Sequence, residues 1–513
     1  MPARPLSPLW NSLALDRRAA PSLQDQIFAY FREGVLAGRL KGGTCVPSSR
    51  ALAAEHGVAR ITAVQAYERL VAEGYLVPRP GAGLYITNSA PEHSLRAPEA
   101  PAREAKPARA PRSPRVARQR PAPPIRERPQ GNLALAPGHP ALDAFPWREW
   151  SRITARVHRE RPAAALGYGD PRGEPVLRKA IADYLGAARG IACEPDQVLV
   201  VSGSQQGIDL AARALGEPGD SVWCEEPGYP AGRAAFHAAA LKPAPVPVDA
   251  DGIDVAAGMR KAPRGRIAFV SPAQQYPLGG SMSLGRRLAL LDWAEREDAW
   301  ILEDDYAGDY RYAGRPLAPL HTLDRGHRVL FLGTFSKVLA PGLRLGYLIV
   351  PPAMAARFAA FKAAADRQPP GLMQQVLARF IAEGRLAAHL RRMRVLYARR
   401  REALIAALRR EAAGLLDPGD APEAGLHLTA RLLIDIDDEA ASQRALQRKI
   451  HAPPLTAYYA GPKRERGFVL GFAATSEAEM PRAVRGLVAA IEETRRARSP
   501  LRGSCRARAC ARD

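Results

Sequence analysis

The chain has 513 residues, of which 47% are hydrophobic and 25% are charged, and its formal net charge at pH 7 is +22. Its length exceeds the ~250–300 residues at which one hydrophobic core stops growing, so we expect at least two globular domains. No apolar run approaches the ~18 residues of a membrane span, and the first residues lack the pattern of a secretory signal. The five cysteines are far apart and fit neither a disulfide framework nor a zinc site, which favours a cytoplasmic protein.

The positive charge is concentrated at the two ends of the chain and in one segment between them. Residues 1–87 carry +4, residues 88–130 carry +6 and residues 494–513 carry +6, which leaves +6 for the long remainder. Such a distribution is expected of a chain that meets nucleic acid. A host with a coding bias toward Arg and Ala is an alternative explanation, so charge alone does not decide the function.

Residues 16–87 begin with the patterns of two short helices. Apolar residues at helical spacing predict a first helix that ends near Gly38: Leu23, Ile27, Phe28, Phe31, Val35 and Leu36. The stretch "PSSRALAAEHG" predicts a second helix with Ser48 as N-cap, Leu52 facing inward and Gly57 at its end.

A third helix and a hairpin follow in "ARITAVQAYERLVAEGYL" and "YLVPRPGAGLYIT". We expect the helix to bury one face, made of Ile61, Val64, Tyr67 or Glu68, and Val71. The opposite face would then be exposed, with Arg60, Thr62, Gln65 and Arg69. Two β-like runs around a glycine-rich turn predict the hairpin. Helices joined by a tight turn, with a hairpin beyond, predict a winged helix-turn-helix.

The motifs "PSSRALA", "GVARITAVQAYERLVAEGYL" and "RPGAGLYI" resemble the DNA-binding domain of the GntR superfamily over residues 21–87. The turn at 42–47 departs from the usual Pro-Gly-x-Arg-Leu-Pro, and Ala59 stands where serine often precedes the arginine. The resemblance implies that double-stranded operator DNA is a partner and that these residues contact it: Arg50, Arg60, Thr62, Gly81 and Gly83.

The residue types agree with that interpretation. A guanidinium group at the start of a recognition helix can hydrogen-bond guanine or clamp a phosphate. The alternative is a helical dimerisation or adaptor module, in which Arg50 and Arg60 would gain nothing.

Residues 88–130 contain ten prolines and almost no large apolar residues. Such a segment cannot bury enough surface to offset its chain entropy, so we expect a disordered Pro/Ala/Arg-rich linker. The basic residues 495–513 are expected to form a disordered tail for the same reason.

Residues 131–494 alternate apolar runs with helical stretches. Five of the runs end in small polar residues: "VLVVSG", "SVWCEE", "RIAFVS", "AWILE" and "RVLFLG". This alternation predicts a parallel α/β sheet, and ligands of such sheets bind outside the carboxyl ends of the strands. Five polar turns at one edge therefore predict a binding site.

Lys337 follows the last of these runs, in "GTFSKVLAPGLRLGY". A lone lysine is usually solvated, but the turns that meet at this edge favour pyridoxal 5′-phosphate. That cofactor needs a lysine for a Schiff base, a carboxylate at the ring nitrogen, a helix N-terminus or guanidinium for its phosphate, and a ring to stack on. The candidates in that order are Lys337, Asp304, the turn at 203–205 with Arg344, and Tyr229.

The large stretch resembles the fold-type I aminotransferases, and the two-domain arrangement resembles the MocR/PdxR subfamily of GntR regulators. The motifs that carry this resemblance are "YGDPRGEPVLRKAIADYL", "VVSGSQQGIDL", "EEPGYP", "LEDDYAGDYRY" and "SKVLAPGLRLGYL". It implies that Lys337 forms the Schiff base and that Asp304 pairs with the pyridine nitrogen. Tyr306 would lie near the ring oxygen O3′, and Tyr229 would stack on the ring.

The resemblance also implies that Ser204, Gln205 and Arg344 hold the cofactor's phosphate. Tyr168 would reach the phosphate from the partner subunit, because fold-type I sites lie between the subunits of a homodimer, and this subfamily is usually head-to-tail. Simple packing is the alternative role for Tyr168. Asp305 is expected to be structural.

Two positions depart from the aminotransferase pattern. Tyr276 stands where ordinary aminotransferases have the asparagine that holds O3′, within Gln274-Gln275-Tyr276-Pro277. In the last strand-like run, "GFVLGFAATSEAEM", Val469 replaces the arginine that forks onto a substrate's α-carboxylate. This absence argues against efficient amino-acid turnover, although the chain offers three substitutes: His427, Arg431 and Lys463.

The sequence therefore predicts a DNA-binding transcriptional regulator whose aminotransferase-like domain dimerises and binds pyridoxal 5′-phosphate, either as effector or as cofactor for sensing an amine or amino acid. The alternative is a working transaminase that carries a DNA-binding module. A scaffold that has lost the cofactor is a third option, against which the retained Lys337 and Asp304 speak.

Overall fold

The computed structural model describes residues 10, 12–80, 82–88, 133–160, 163–312, 318–422, 424–462 and 464–498. The chain divides into two compact units, Met1–Arg112 and Ser113–Asp513. Gly81 and Lys463 lie outside the described residues, as do all of the predicted linker but residue 88 and all of the predicted tail after residue 498.

The small unit has three helices and a hairpin within its described residues: α1 (Leu23–Leu36), α2 (Ser49–Glu55), α3 (Arg60–Ala72), β1 (Leu76–Arg79) and β2 (Gly83–Ile86). Ser48 caps α2, because its hydroxyl accepts a hydrogen bond from Ala51 N at 3.2 Å. The core also includes Trp10, which stacks on Phe31 with ring centroids 5.5 Å apart. The folded unit thus begins before residue 16, earlier than the sequence predicted.

The predicted orientation of α3 is wrong at Ile61, whose side chain is 61% exposed. The buried face consists instead of Ala63, Ala66, Tyr67 and Leu70. Tyr67 fixes this orientation, because its hydroxyl donates to Pro47 O at 3.0 Å inside the core. Thr62, predicted as exposed, is half-buried.

The large unit is built on a sheet that has eight strands among its described residues, in the order β3-β10-β9-β8-β7-β4-β5-β6. Their bounds are β3 (Val198–Val201), β4 (Ser221–Glu226), β5 (Lys242–Asp249), β6 (Gly252–Ile253), β7 (Gly265–Val270), β8 (Trp300–Asp305), β9 (Val329–Thr334) and β10 (Gly346–Ile349).

The sheet is mixed, whereas the sequence predicted a parallel one. β4, β5, β7, β8 and β9 run parallel, but β10 is antiparallel to both of its neighbours and β6 is antiparallel to β5. Since β10 runs the opposite way, it starts at the edge where β3 and β9 end. The residues just before β10 therefore join the polar turns at that edge.

Helices cover both faces of this sheet. On β3, Val198 and Val200 pack into one apolar cluster and Leu199 packs into another on the opposite face, as expected of a sheet buried on both sides. The helices of this unit are α4 (Trp147–Glu160), α5 (Pro175–Arg189), α6 (Ser204–Leu215), α7 (Pro230–Ala238), α8 (Val255–Lys261), α9 (Leu284–Arg296), α10 (Leu320–Leu323), α11 (Phe335–Val338), α12 (Ala355–Ala365), α13 (Gly371–Ala382), α14 (Arg385–Glu411), α15 (Asp438–Gln447) and α16 (Met480–Arg498). Within the described ranges, no helix is long and apolar enough to cross a membrane.

The C-terminal layer follows α14 and contains a second sheet in the order β11-β12-β13. Its strands are antiparallel: β11 (Leu416–Asp417), β12 (His427–Leu432) and β13 (Gly467–Gly471). α16 continues to Arg498, so residues 495–498, predicted as the start of a disordered tail, are helical. Thr494 is buried and its hydroxyl donates to Ala490 O at 2.8 Å, which keeps this end of the helix packed.

Candidate functional site

Lys337 lies on a short helical turn directly after a buried strand. β9 ends at Thr334, whose hydroxyl accepts a hydrogen bond from Ser336 N at 3.1 Å and so starts α11. The lysine is half-buried, and its Nζ donates to Gly138 O at 2.7 Å. Gly138 has a φ of +72°, and a Cβ there would lie 3.0 Å from Nζ. The lysine thus points into the protein instead of into solvent.

Asp304 lies near the end of the neighbouring strand β8 and is 6% exposed. Its Oδ1 is buried and has no hydrogen-bond partner within the described residues. Burial, together with the adjacent Asp305 carboxylate, raises the pKa of Asp304 to about 7, while Lys337 acts in the opposite direction. A buried acceptor without a donor costs about 1–3 kcal/mol, so this carboxyl is suited to a ligand that brings a donor.

Asp305 has a different environment. It forms a buried ion pair with Arg189, and its Oδ1 accepts a hydrogen bond from Gly308 N at 2.8 Å. These contacts are those of a structural residue.

An aromatic group lies beside Asp304, and Tyr276 is its centre. The ring centroid of Tyr276 is 5.8 Å from that of Tyr229, 5.8 Å from that of Tyr306, 5.0 Å from that of His427 and 5.3 Å from that of Tyr458. The Tyr306 hydroxyl is buried without a partner in the described structure, and burial raises its pKa well above the ordinary value. It is therefore a neutral O–H group suited to a ligand acceptor.

The turn between β3 and α6 brings a helix N-terminus and a guanidinium group together. Gly203 precedes the first helical residue, Ser204, and has a φ of +90°, which favours glycine. Arg344 donates to Ser202 O at 2.7 Å, and a Cβ on Gly203 would lie 3.1 Å from one of its guanidinium nitrogens. A helix N-terminus beside a guanidinium is suited to a phosphate. Gln205 connects this turn to the start of α7, because its Nε2 donates to Ala231 O at 2.8 Å.

The loop that carries Tyr276 is held by a buried side chain that the sequence did not single out. Gln275 Nε2 donates to Pro227 O and to Tyr276 O, each at 2.8 Å, and its Oε1 accepts from Leu278 N at 3.0 Å. Glu225, at 3.3 Å from the same Nε2, is fully buried, and this burial raises the pKa of its carboxyl to about 8. The one available signal is that Glu225 stands next to last in the strand-like run "SVWCEE".

Val469 is fully buried in β13 and packs with Leu455 and Tyr458. Of the three residues proposed to replace the missing arginine, Arg431 is exposed and ion-pairs with Glu465 at 2.8 Å. Lys463 lies outside the described residues. Of the two that the structure describes, His427 lies with the aromatic group and Arg431 does not.

Tyr168 is not part of this group in its own chain as far as the described contacts extend. Its side chain is 87% exposed, and its ring stacks under the Arg367 guanidinium at 4.7 Å. The predicted role in a partner's site needs an exposed position, which this residue has.

The small unit presents its candidate DNA contacts on its surface. Arg50 near the start of α2 and Arg60 at the start of α3 are both exposed, and neither helix has an acidic residue in its first turn. In the hairpin, Gly83 is exposed with a φ of +102°, and Arg79 stacks on Tyr85 at 4.3 Å. The arginines, Thr62 and the glycine hairpin belong to one winged helix-turn-helix.

Two family matches divide the chain in the same way. Residues 23–86 match the bacterial regulatory proteins of the gntR family, and residues 144–487 match aminotransferase class I and II. The latter family uses pyridoxal 5′-phosphate. The α-aminoadipate aminotransferase LysN of Thermus thermophilus, solved with N-(5′-phosphopyridoxyl)-L-leucine, is similar with a TM-score of 0.66 and 28% identity, over 71% of this chain and 93% of that one.

Regulators match over nearly the whole chain. The probable rhizopine catabolism regulatory protein MocR of Rhizobium meliloti is 38% identical, over 93% of this chain and 96% of that protein. The pyridoxine biosynthesis transcriptional regulator PdxR of Corynebacterium glutamicum is 32% identical, over 91% of this chain and 95% of that protein. The chain therefore belongs to the MocR-type transcriptional regulators of the GntR family, which join a winged helix-turn-helix DNA-binding domain to an aminotransferase-like domain.

Proposed function

We propose that this regulator binds pyridoxal 5′-phosphate in the site around Lys337 and that binding changes its affinity for operator DNA. The observation that carries the proposal is the buried Oδ1 of Asp304, on the strand beside the one that precedes Lys337, which has no hydrogen-bond partner among the described residues. A protonated ring nitrogen is the donor that this carboxyl lacks. When bound, the cofactor supplies an aldehyde that condenses with amines.

Different residues of the chain contact different parts of the cofactor in this proposal. Lys337 attaches the cofactor through its amine, and Asp304 accepts the hydrogen bond of the ring nitrogen, which keeps that nitrogen protonated. Tyr306 donates its O–H to the ring oxygen, and Tyr229 stacks on the ring.

The phosphate lies at the other end of the site in this proposal. Ser204 and Gln205 offer the N-terminus of α6, and Arg344 offers its guanidinium. Tyr168 of a second copy completes the phosphate site in a head-to-tail homodimer, which gives its exposed ring a function.

We further propose that residues 16–87 bind DNA and residues 131–494 sense the ligand, with residues between them as a linker. Arg50, Arg60 and Thr62 contact phosphates and bases, and the glycine hairpin approaches the DNA backbone. Two small domains in a dimer would address two half-sites.

Sensing is favoured over catalysis because, among the described residues of the site, none takes the place of the arginine that pairs with an α-carboxylate. Val469 and its apolar neighbours stand where aminotransferases place an arginine. Transamination is therefore expected to be negligible, although Lys337, Asp304 and Tyr306 match the aminotransferase pattern.

Operator titrations with and without pyridoxal 5′-phosphate test this proposal, using DNA that the full-length protein selects from a random library. We expect the two curves to differ, and linkage requires DNA to change cofactor affinity by the same factor. Coincident curves would contradict regulation by the cofactor, and if an amino acid then displaces them, that amino acid is the effector. Rapid turnover of an amino acid with an oxo-acid acceptor would establish the transaminase instead.

A further inference from the structure

His427 is a buried polar side chain that the proposed cofactor contacts do not use. It begins β12, is fully buried, and its ring lies 5.0 Å from Tyr276 and 6.4 Å from Tyr306 between centroids. Tyr306 directly follows the Asp304–Asp305 end of β8, so His427 faces the same space as the cofactor contacts.

Its hydrogen bonds determine which ring nitrogen carries the proton. His427 Nε2 lies 3.1 Å from Pro277 O, and a carbonyl oxygen can only accept, so Nε2 must donate. Thr429 Oγ1 donates to the same carbonyl oxygen at 2.7 Å. The neutral ring therefore has no proton on Nδ1.

Nδ1 has no hydrogen-bond partner within the described residues. Burial lowers the pKa of His427 to about 4, and the nearby Lys337 acts in the same direction. The ring is consequently neutral near pH 7, and Nδ1 offers a lone pair in a buried place. An acceptor of this kind is satisfied only by a donor.

The side chains around Val469 form a wall next to His427 that disfavours a carboxylate. Val469 packs with Leu455 and Tyr458, and Leu278 lies against them. Arg431, on the same strand as His427, is turned to the surface and paired with Glu465. A carboxylate at this wall would face the His427 lone pair, apolar atoms and two tyrosine hydroxyls that already hydrogen-bond each other, those of Tyr276 and Tyr458 at 3.1 Å. Burying a charge without a cationic partner is costly.

We propose that His427 Nδ1 accepts a hydrogen bond from a hydroxyl group of the effector, and that the effector is a hydroxyl-bearing amine without a carboxylate. This rests on the proposed function, because the amine of the effector meets the cofactor held at Lys337 while its hydroxyl group reaches His427. Val469 and its neighbours select against amino acids of the same length.

The experiment compares three matched series of probes on the full-length protein loaded with pyridoxal 5′-phosphate: amino alcohols of two to five carbons, n-alkylamines, and ω-amino acids. Dissociation constants come from the absorbance of the bound cofactor, and operator affinity is measured in parallel. We expect at least one amino alcohol to bind about tenfold or more tightly than the alkylamine and amino acid of its length, and to shift operator affinity.

Two variants assign this preference to the named residues. His427→Phe should abolish the ratio between amino alcohol and alkylamine, whereas His427→Gln, which retains an acceptor, should keep part of it. Val469→Arg should reverse the ratio between amino alcohol and amino acid, and Val469→Leu serves as its control for size. Because each ratio is measured within one variant, a general loss of cofactor affinity does not imitate the effect.

Equal binding of amino alcohols and amino acids to the loaded wild-type protein would overturn the inference, as would no binding of any amine. An unchanged ratio in His427→Phe would also overturn it. These results differ from failure of the proposed function, which would be seen earlier as a wild-type protein that takes up no cofactor.

Discussion

The two units of this regulator present their candidate sites in opposite ways. In the small unit, Arg50, Arg60 and Ile61 are exposed to solvent on a domain whose core is complete without them. In the large unit, Asp304 Oδ1, the Tyr306 hydroxyl and His427 Nδ1 are buried and lack partners among the described residues. The candidate DNA site is thus an exposed surface, whereas the candidate cofactor site is a buried space with unsatisfied hydrogen-bonding groups.

Because of this difference, DNA binding by the small unit depends on residues that contribute little to its stability. In the large unit, the residues proposed to bind the ligand also affect the stability of the fold. Water solvates an exposed guanidinium in the absence of DNA, so removing it costs the fold little. Each buried, unpaired polar group costs about 1–3 kcal/mol until a ligand satisfies it. Filling the large unit's site should therefore remove a cost that the free unit carries, whereas loss of a DNA contact from the small unit should change DNA affinity and leave the stability of the free unit nearly unchanged.

Replacement of Lys337 would have the largest effect on the buried site. Lys337→Ala should abolish covalent attachment of pyridoxal 5′-phosphate, because no other amine is held at this turn. Borohydride reduction and peptide mapping should label Lys337 in the wild type and no residue in the variant. Lys242→Ala, at an exposed lysine, is the control. A label on another lysine in the wild type would contradict the assignment.

The buried site should also give the large unit a dependence on pH. Burial raises the pKa of Glu225 from 4.5 to about 8, so its proton is held more tightly in the folded state. The resulting stability is full below pH 4.5 and is lost as pH rises toward about 8, by at most about 1.4 kcal/mol per pH unit.

Glu225→Gln should remove that slope whatever the variant's own stability. Denaturant unfolding of wild type and variant at several pH values between 5 and 8 gives the difference between the two slopes. Parallel slopes would show that the carboxyl does not retain its proton.

On the exposed site, Arg60→Ala should weaken operator binding by roughly 1–3 kcal/mol if the guanidinium reads a base. If it contacts phosphate instead, binding of all sequences should fall alike, with a shallower salt dependence. The unfolding of the small unit should not change. Arg213→Ala removes the same charge from an exposed helix of the large unit and serves as the control. Unaltered affinity for every DNA would argue against α3 as the recognition helix.

The smallest effect is expected at Ile61, which the structure leaves 61% exposed beside Arg60. An exposed apolar side chain at the start of a recognition helix is suited to the methyl group of thymine. Ile61→Ala should cost about 1 kcal/mol of operator affinity, since little apolar area is involved. Replacing each operator thymine by uracil should reproduce the loss at one position in the wild type and add nothing in the variant. If every thymine remains equally important in both proteins, Ile61 does not read a methyl group.

The sequence predicts the structure best where local chemistry determines local structure. The Ser48 cap and the strand ahead of Lys337 follow from residue types over a few positions, and both are present. The position of Arg344 beside the Gly203 turn depends on β10 running antiparallel, a feature of topology that periodicity does not reveal.

The remaining differences have similar causes. The helical pattern predicts the wrong face for Ile61, because a small shift in helical phase lets Ala63 and Ala66 pack inward instead. The contacts of Gln275 and Glu225 join residues 50 positions apart, and the Nδ1 acceptor of His427 depends on a carbonyl 150 positions away. Such pairings exist only in the folded chain, so a pattern in the sequence cannot indicate them.

The hydrogen bond from Lys337 to the Gly138 carbonyl oxygen lies close to the point where the described large unit begins, and this position has a mechanical consequence. It lies five residues after the described part of the large unit begins at residue 133. This segment is anchored to the C-terminal layer, because Leu135 N donates to Thr475 Oγ1 and His451 N donates to Ala134 O, each at 2.9 Å. Any tension that the DNA-binding domain exerts along the backbone arrives at this segment before the rest of the described large unit. The lysine thus holds the same segment, three residues after the anchored Leu135.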